Sequence, residues 1–193
     1  MTAKHYKTFS SEAAHALLRG AVGILPTDTL YGLVASATEP MAVERVYRLK
    51  GRDDNKPCII LVPEEASVAH FGVPTEEISQ VARYWPGALS VIFSTIDKKY
   101  DYLIRDGKLP PFRIPDNAAL RHFLHESGPI IAPSANKQGE QPVANIQSAQ
   151  ELFSDTIDFY IDGGVLRGHP STLVRLQQRN MEVIRQGALK IKR

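Results

Sequence analysis

The sequence predicts an α/β fold, a twisted mixed sheet with parallel and antiparallel pairs and flanking helices, in one domain across residues 1–193. Three observations predict it. Short runs rich in Val and Ile alternate along the chain with segments whose apolar residues recur at helical spacing, the pattern of strands covered by helices. The last two strand-like runs, TLVRL and MEVIR, stand at hairpin spacing, which a purely parallel sheet does not admit. With 43% hydrophobic and 23% charged residues, the 193-residue chain can bury a sizeable core, and no repeat, linker or low-complexity stretch divides it.

Taken in order, Ser11 to Arg19 reads as a helix with a Ser/Glu start and a stop at Gly20. The strand AVGIL follows and runs into PTDTLYGL, where Pro26, Thr27, Asp28 and Gly32 signal a polar turn held at a strand end. MAVERVYRLKGR places Val43, Val46, Tyr47 and Leu49 at helical spacing, with Arg45, Arg48, Lys50 and Arg52 gathered towards its end. CIILV is a buried strand. A helix from about Glu76 to Tyr84 precedes the turn WPG, LSVIF is a strand, and FRIP is a short edge segment stopped by Pro115. Leu120 to His125 is helical. PIIA then repeats the earlier pattern, an apolar strand that delivers Pro133, Ser134 and Asn136 to its end, so the two polar turns are expected to face one site. A helix through Ser148 to Phe153, the strands FYID, TLVRL and MEVIR, and the tail KIKR complete the chain.

Composition narrows the function classes. The 23 basic against 21 acidic residues leave a net charge of +2, too small to argue for nucleic-acid binding by itself. The single cysteine, Cys58, forms no internal disulfide and no zinc site, and its apolar surroundings predict a buried structural thiol in a reducing compartment. The N-terminus lacks an apolar signal-peptide core, and no run reaches the roughly 20 apolar residues of a membrane span. A cytoplasmic protein without membrane contact is expected. Neither GxxxxGK[ST], a strand-borne GxGxxG, GxSxG nor HExxH occurs, and Asp53 and Asp54 lie in a polar loop, so P-loop, Rossmann, serine-hydrolase, zinc-protease and two-carboxylate chemistries are all poorly supported.

The remaining polar residues have both functional and structural readings. Lys50 and Arg52 flank Gly51 after a helix, where two cations at a cavity rim suit phosphate. Ser134 and Asn136 suit phosphate oxygens or an amino-acid head group, and Arg113 suits a carboxylate held by two parallel hydrogen bonds. Taken singly, each is read more simply as a solvated helix end, a loop-closing turn and an exposed salt bridge. Ser171 and Thr172 are equally open.

Together, PTDTLYGL, KGR, WPGALSVIF, FRIPDN, APSAN, IDGG, HPSTLV and VIRQGA occur in the order and at spacings similar to those of the YrdC/Sua5/TsaC family, over about residues 20–188. The resemblance implies a sheet around a deep basic concave cavity and an L-threonylcarbamoyladenylate synthase, a nucleotidyltransferase that condenses L-threonine, bicarbonate and ATP, with Mg2+ accompanying the ATP and no metal site of its own. Carried over by motif, Thr29, Arg113, Ser171 and the backbone near Ala132 would bind threonine. Lys50, Arg52, Ser134, Asn136 and Arg185 would hold ATP, with Lys50 and Arg52 as the catalytic cations. The resemblance further implies a TsaD-type transferase downstream, which places the product on adenosine 37 of tRNA.

Departures from the family pattern fall at Asp53, Lys56 and Cys58 in KGRDDNKPC, and near Pro142, where QPVAN lacks an expected hydroxyl. Because the chain closes on VIRQGALKIKR, it resembles the short TsaC form rather than the longer Sua5 form. Two other readings stay open: a non-catalytic nucleotide- or RNA-binding module that docks tRNA or double-stranded RNA on a basic surface, and a carbamoyl-transfer role, whose acylphosphatase and zinc motifs are missing from this sequence.

Overall fold

The computed structural model describes residues 2–51, 55–178 and 180–191. Ten strands and six α-helices are formed among these residues: β1 (Lys4–Tyr6), α1 (Ser11–Leu18), β2 (Val22–Pro26), β3 (Tyr31–Ser36), α2 (Pro40–Lys50), β4 (Ile60–Leu61), α3 (Glu65–Ala69), α4 (Thr75–Val81), β5 (Leu89–Ile92), β6 (Phe112–Arg113), α5 (Ala118–Ser127), β7 (Ile130–Ile131), α6 (Ile146–Phe153), β8 (Phe159–Ile161), β9 (Thr172–Gln177) and β10 (Asn180–Arg185). The strands make one mixed sheet in the order β1-β8-β2-β3-β7-β4-β6-β5-β9-β10. Its parallel pairs are β1/β8, β2/β8, β4/β6 and β5/β9.

Local chemistry sets the helix ends. The Ser10 hydroxyl accepts from Ala13 N, and the side chains of Asn117 and Asn145 accept from Leu120 N and Ser148 N, so α1, α5 and α6 each begin on a capping oxygen. Pro40 opens α2, and Gly51 closes it in the left-handed conformation at φ 57° that glycine adopts without penalty.

Side chains alternate across the strands, so Ile24 and Leu33 enter one core while their neighbours Leu25 and Val34 enter the other. On one face α1 and α5 contribute Leu17, Leu120, Phe123 and Leu124. On the opposite face α2, α4 and α6 contribute Val46, Tyr47, Ile78 and Phe153. Cys58 is buried in this second core, as its apolar setting predicts.

The structure departs from the sequence reading at several elements. Residues 31–36, taken partly as a turn, form β3, which pairs antiparallel with β2 in full register. Strand β1, helix α3 and a 3-10 turn at Lys98–Leu103 carry no clear periodicity and were not expected. FRIP is not an edge. Strand β6 lies between β4 and β5, and it is short because prolines 110, 111 and 115 bracket it and lack the N–H that a longer ladder needs. Pro111 still serves the sheet through its carbonyl, which accepts from Ile60 N at 2.8 Å.

At the β2/β8 contact, a methyl group on Gly23 would stand 2.3–2.5 Å from the Phe159 ring. Gly23→Ala is therefore expected to destabilise the fold by about 1–3 kcal/mol through overpacking. The denaturation midpoint measures this; an unchanged midpoint would contradict the tight β2/β8 packing.

Candidate active site

Between β2 and β3 the chain turns on Thr27, whose hydroxyl accepts from the amides of Thr29 and Leu30 at 3.1 Å and donates to Leu30 O at 2.7 Å. This local closure aims the Thr29 hydroxyl at the sheet, where Arg113 Nη1 donates to it at 3.1 Å. Arg113 is only 3% exposed because β6 is interior. Its Nη2 stands 3.0 Å from Asp28 Oδ1, in a pair whose side chains are both almost fully buried.

That pair is incompletely satisfied. The Asp28 contact is an ion contact without hydrogen-bond alignment, and Arg113 Nε has no acceptor among the described residues. The other Asp28 oxygen accepts from Asp116 N at 3.1 Å. Burial pushes the Arg113 guanidinium below its ordinary pKa, Asp28 opposes the shift, and the nearby charge of Arg185 adds to it. A buried cation in this condition is stabilised by a second anion.

At the end of β7 the chain continues as Pro133, Ser134, Ala135 and Asn136, and a bridge between Gly32 and Ser134 ties it beside the first turn. The Lys50 ammonium enters from the end of α2 and donates to Ser134 O, Asn136 O and Asn136 Oδ1 at 2.6, 3.0 and 2.7 Å. The Ser134 hydroxyl donates to the same Asn136 Oδ1 at 2.7 Å, and Asn136 Nδ2 donates to the carbonyls of Lys137 and Glu140. Lys50 is 3% exposed, so it is a buried strut within the SAN turn rather than a rim cation.

The third side of the site comes from β5, β9 and β10. Ser90 and Ser171 share a hydrogen bond at 2.7 Å between buried hydroxyls, and Arg185 Nη2 donates to Ser171 O at 3.0 Å. The segment 162–170 reaches this corner after passing over the first turn. Tyr31 holds it through Gly163 N and Gly164 O, each at 2.8 Å. A methyl on Gly168 would meet Thr29 O at 2.1 Å, so only glycine passes there.

These elements enclose a cavity of about 210 Å³. Of the residues singled out from sequence, Thr29, Arg113, Ala132, Ser134, Ser171 and Arg185 line it together. Lys50 and Asn136 stand behind the Ser134 wall, and Arg52 lies outside the described residues. Asp28, Thr27, Tyr31 and Ser90 were not singled out as site residues. Ser90 carried a legible signal, a hydroxyl inside the apolar run LSVIF that burial obliges to find a partner. Asp28 carried less, since nothing in PTDT says that its carboxylate turns inward to a strand far along the chain.

A larger cleft of about 850 Å³ adjoins the cavity and shares Pro57, Pro111, Leu173 and Arg185 with it. Lys56, Lys108, Arg175 and Arg185 are among its lining residues; Lys108 pairs with Asp106 at 3.0 Å and Arg175 with Glu182 at 3.1 Å.

Fold and site together define an α/β protein with a small cavity where two polar turns meet, lined by Arg113 and Arg185 and adjoined by a wider cleft. The Sua5/YciO/YrdC family model, described as "Telomere recombination", matches residues 15–187, and the chain belongs to this family. The Pyrococcus abyssi protein named "Threonylcarbamoyl-AMP synthase" is 31% identical over 181 residues, 92% of this chain and 53% of that one. The crystal structure of P. abyssi Sua5 complexed with L-threonine superimposes with a TM-score of 0.82 at 26% identity, over 97% of this chain and 58% of that one. E. coli YciO shares the fold, with a TM-score of 0.84 at 20% identity over 99% of this chain and 97% of its own. The chain thus spans a little over half the length of the P. abyssi relative.

The geometry of Lys50 leads to a stability prediction. Lys50→Met is expected to lower stability by about 1.5–3 kcal/mol, the scale of hydrogen bonds to a charged group, because it leaves buried oxygens unpaired. A thermal melt would show the loss, whereas an unchanged melting temperature would return Lys50 to the cavity rim.

Proposed function

We propose that the protein is an L-threonylcarbamoyladenylate synthase, which condenses L-threonine, bicarbonate and ATP into threonylcarbamoyl-AMP and pyrophosphate for the N6-threonylcarbamoyladenosine modification at tRNA position 37. The observation that carries this reading is Arg113, a buried guanidinium with one imperfect carboxylate partner at the wall of a cavity sized for an amino acid. A threonine carboxylate supplies the missing anion. The hydroxyls of Thr29, Ser90 and Ser171 line the same cavity and suit the substrate's own hydroxyl and head group. Threonine bound in the P. abyssi relative supports the assignment.

The nucleotide would extend from the Ser134 and Arg185 wall into the adjoining cleft, whose cations match a triphosphate. Threonine and bicarbonate first yield a carbamate with loss of water. A carbamate oxygen then bonds to the α-phosphorus, the bond to the departing pyrophosphate breaks, and fixed cations stabilise the charge that spreads over the phosphoryl oxygens. No side-chain nucleophile is needed, because the carbamate is already anionic. Arg185 lines both spaces, which supports a role for it toward both substrates. Lys50 would act through the turn it holds, by fixing Ser134 and Asn136, and Arg52 remains a proposed phosphate cation on the strength of its motif. Magnesium is proposed to arrive with ATP, held by phosphate oxygens and water; among the described residues no three His, Cys, Asp or Glu side chains converge.

We further propose a cytoplasmic setting and product transfer to a TsaD-type enzyme; no helix among the described residues is long and apolar enough to cross a membrane. The cations of the wider cleft also favour a second reading, a module that binds RNA or nucleotide without turnover.

The deciding assay supplies the purified protein with ATP, magnesium and bicarbonate, and compares threonine, serine and no amino acid. Threonine-dependent AMP adduct and pyrophosphate are expected; ATP binding without product would leave the binding module. Arg113→Lys keeps the charge but loses the two-point grip, so the KM for threonine is expected to rise about 10- to 100-fold while that for ATP stays within about twofold. Steady-state kinetics on each substrate measure the split, and equal rises would remove Arg113 from the carboxylate role.

A further inference from the structure

We infer that Tyr47, clamped by Arg105, is a positioning residue for the nucleotide side of the site, which it serves by holding the segment 55–58 as a fixed wall. This deepens, and rests on, the synthase reading. In sequence Tyr47 is one apolar position of α2, and its ring is buried in the core accordingly. Its hydroxyl, however, bridges two backbone groups on either side of Pro57, donating to Lys56 O at 3.2 Å and accepting from Cys58 N at 3.0 Å. Pro57 lines both the small cavity and the wider cleft, and Asn55 and Lys56 line the cleft. One phenol therefore sets the position of a segment that lines the cleft with three residues and reaches the small cavity with Pro57 alone.

The phenol is itself held. The Arg105 guanidinium lies over the Tyr47 ring at 4.1 Å from its centroid and pairs with Glu44, one turn earlier on α2. Arg105 and Lys108 exchange backbone hydrogen bonds at 2.9 and 3.1 Å across a tight turn. From that turn Lys108 Nζ donates to Asn55 O at 3.2 Å. Helix α2, the 105–108 turn and the 55–58 wall thus form a closed mechanical loop, with Tyr47 at its centre. Its threonine-side counterpart is separate, since Arg113, Thr29 and Asp28 contact none of these groups in the hydrogen bonds and ion pairs described above.

Burial raises the Tyr47 hydroxyl pKa well above the ordinary tyrosine value, so it stays a neutral donor and acceptor at physiological pH.

The test compares Tyr47→Phe, which keeps the ring under Arg105, with Tyr160→Phe. Tyr160 also buries its ring and donates to a backbone carbonyl, Ser154 O at 2.7 Å, but on β8, beside the edge strand β1 and away from both spaces. Tyr47→Phe is expected to raise the KM for ATP about fivefold to tenfold, the scale of one lost buried hydrogen bond, with the KM for threonine within about twofold. Tyr160→Phe is expected to lower the melting temperature to a similar extent and to leave both KM values in place. Equal shifts for ATP and threonine, no shift for ATP, or the same ATP shift from Tyr160→Phe would each overturn the proposal. Calorimetric ATP affinity separates this result from the fate of the synthase reading. If the wild type binds ATP but makes no threonine adduct, a weaker ATP affinity in Tyr47→Phe still supports the positioning role, and an unchanged affinity ends it. A wild type without ATP affinity overturns both.

Discussion

A guanidinium buried on an interior strand has to be neutralised, and the placement of Arg113 on β6 is the constraint around which the site is arranged. Its strand can be only two residues long, because the flanking prolines deny further ladder bonds, yet it is paired on both sides and its side chain is buried at the wall of the cavity. The β2–β3 turn answers by delivering Asp28 and Thr29 to the same guanidinium. That answer is partial: one carboxylate makes a misaligned contact, and a second cation, Arg185, stands close enough to lower the Arg113 pKa further. The remaining electrostatic demand faces a cavity. A preorganised cation short of one anion binds a carboxylate without first breaking a satisfied pair.

The other half of the site is organised by the backbone. Lys50 converts the end of α2 and the end of β7 into one unit, since its ammonium binds three oxygens of the turn that carries Ser134 and Asn136. The KGR and SAN motifs are far apart in sequence and meet through that contact. Tyr47 does similar work one helical turn earlier, on the 55–58 segment. Helix α2 therefore contributes an apolar face to the core and, from its last turns, two polar anchors to the site, which is why its C-terminal end has to be placed accurately by the Gly51 cap.

Much of this was legible beforehand. The strands AVGIL, LSVIF, FYID, TLVRL and MEVIR were visible from their apolar runs, and the first helix from its Ser/Glu start, whereas the Asn117 and Asn145 caps of α5 and α6 emerged only with the structure. That the two polar turns would share a site was legible too, because both follow short buried strands. Less visible were β3, whose YGLVAS looks like the continuation of a turn, and β1, three residues whose partner lies more than 150 residues away.

Sequence by itself determined the mixed α/β class, the buried thiol, and the candidate cations and hydroxyls, since these depend on local periodicity, turn chemistry and residue type. It also carried the family membership, through motifs in a fixed order. Only the tertiary structure decided that Arg113 is interior rather than at an edge, that Asp28 is its partner, and that Lys50 is a strut within a turn and not a cation on a rim. Those properties arise from strand order and from contacts between residues distant in the chain, and a side chain's burial and charge environment are set by whichever neighbours the fold brings to it.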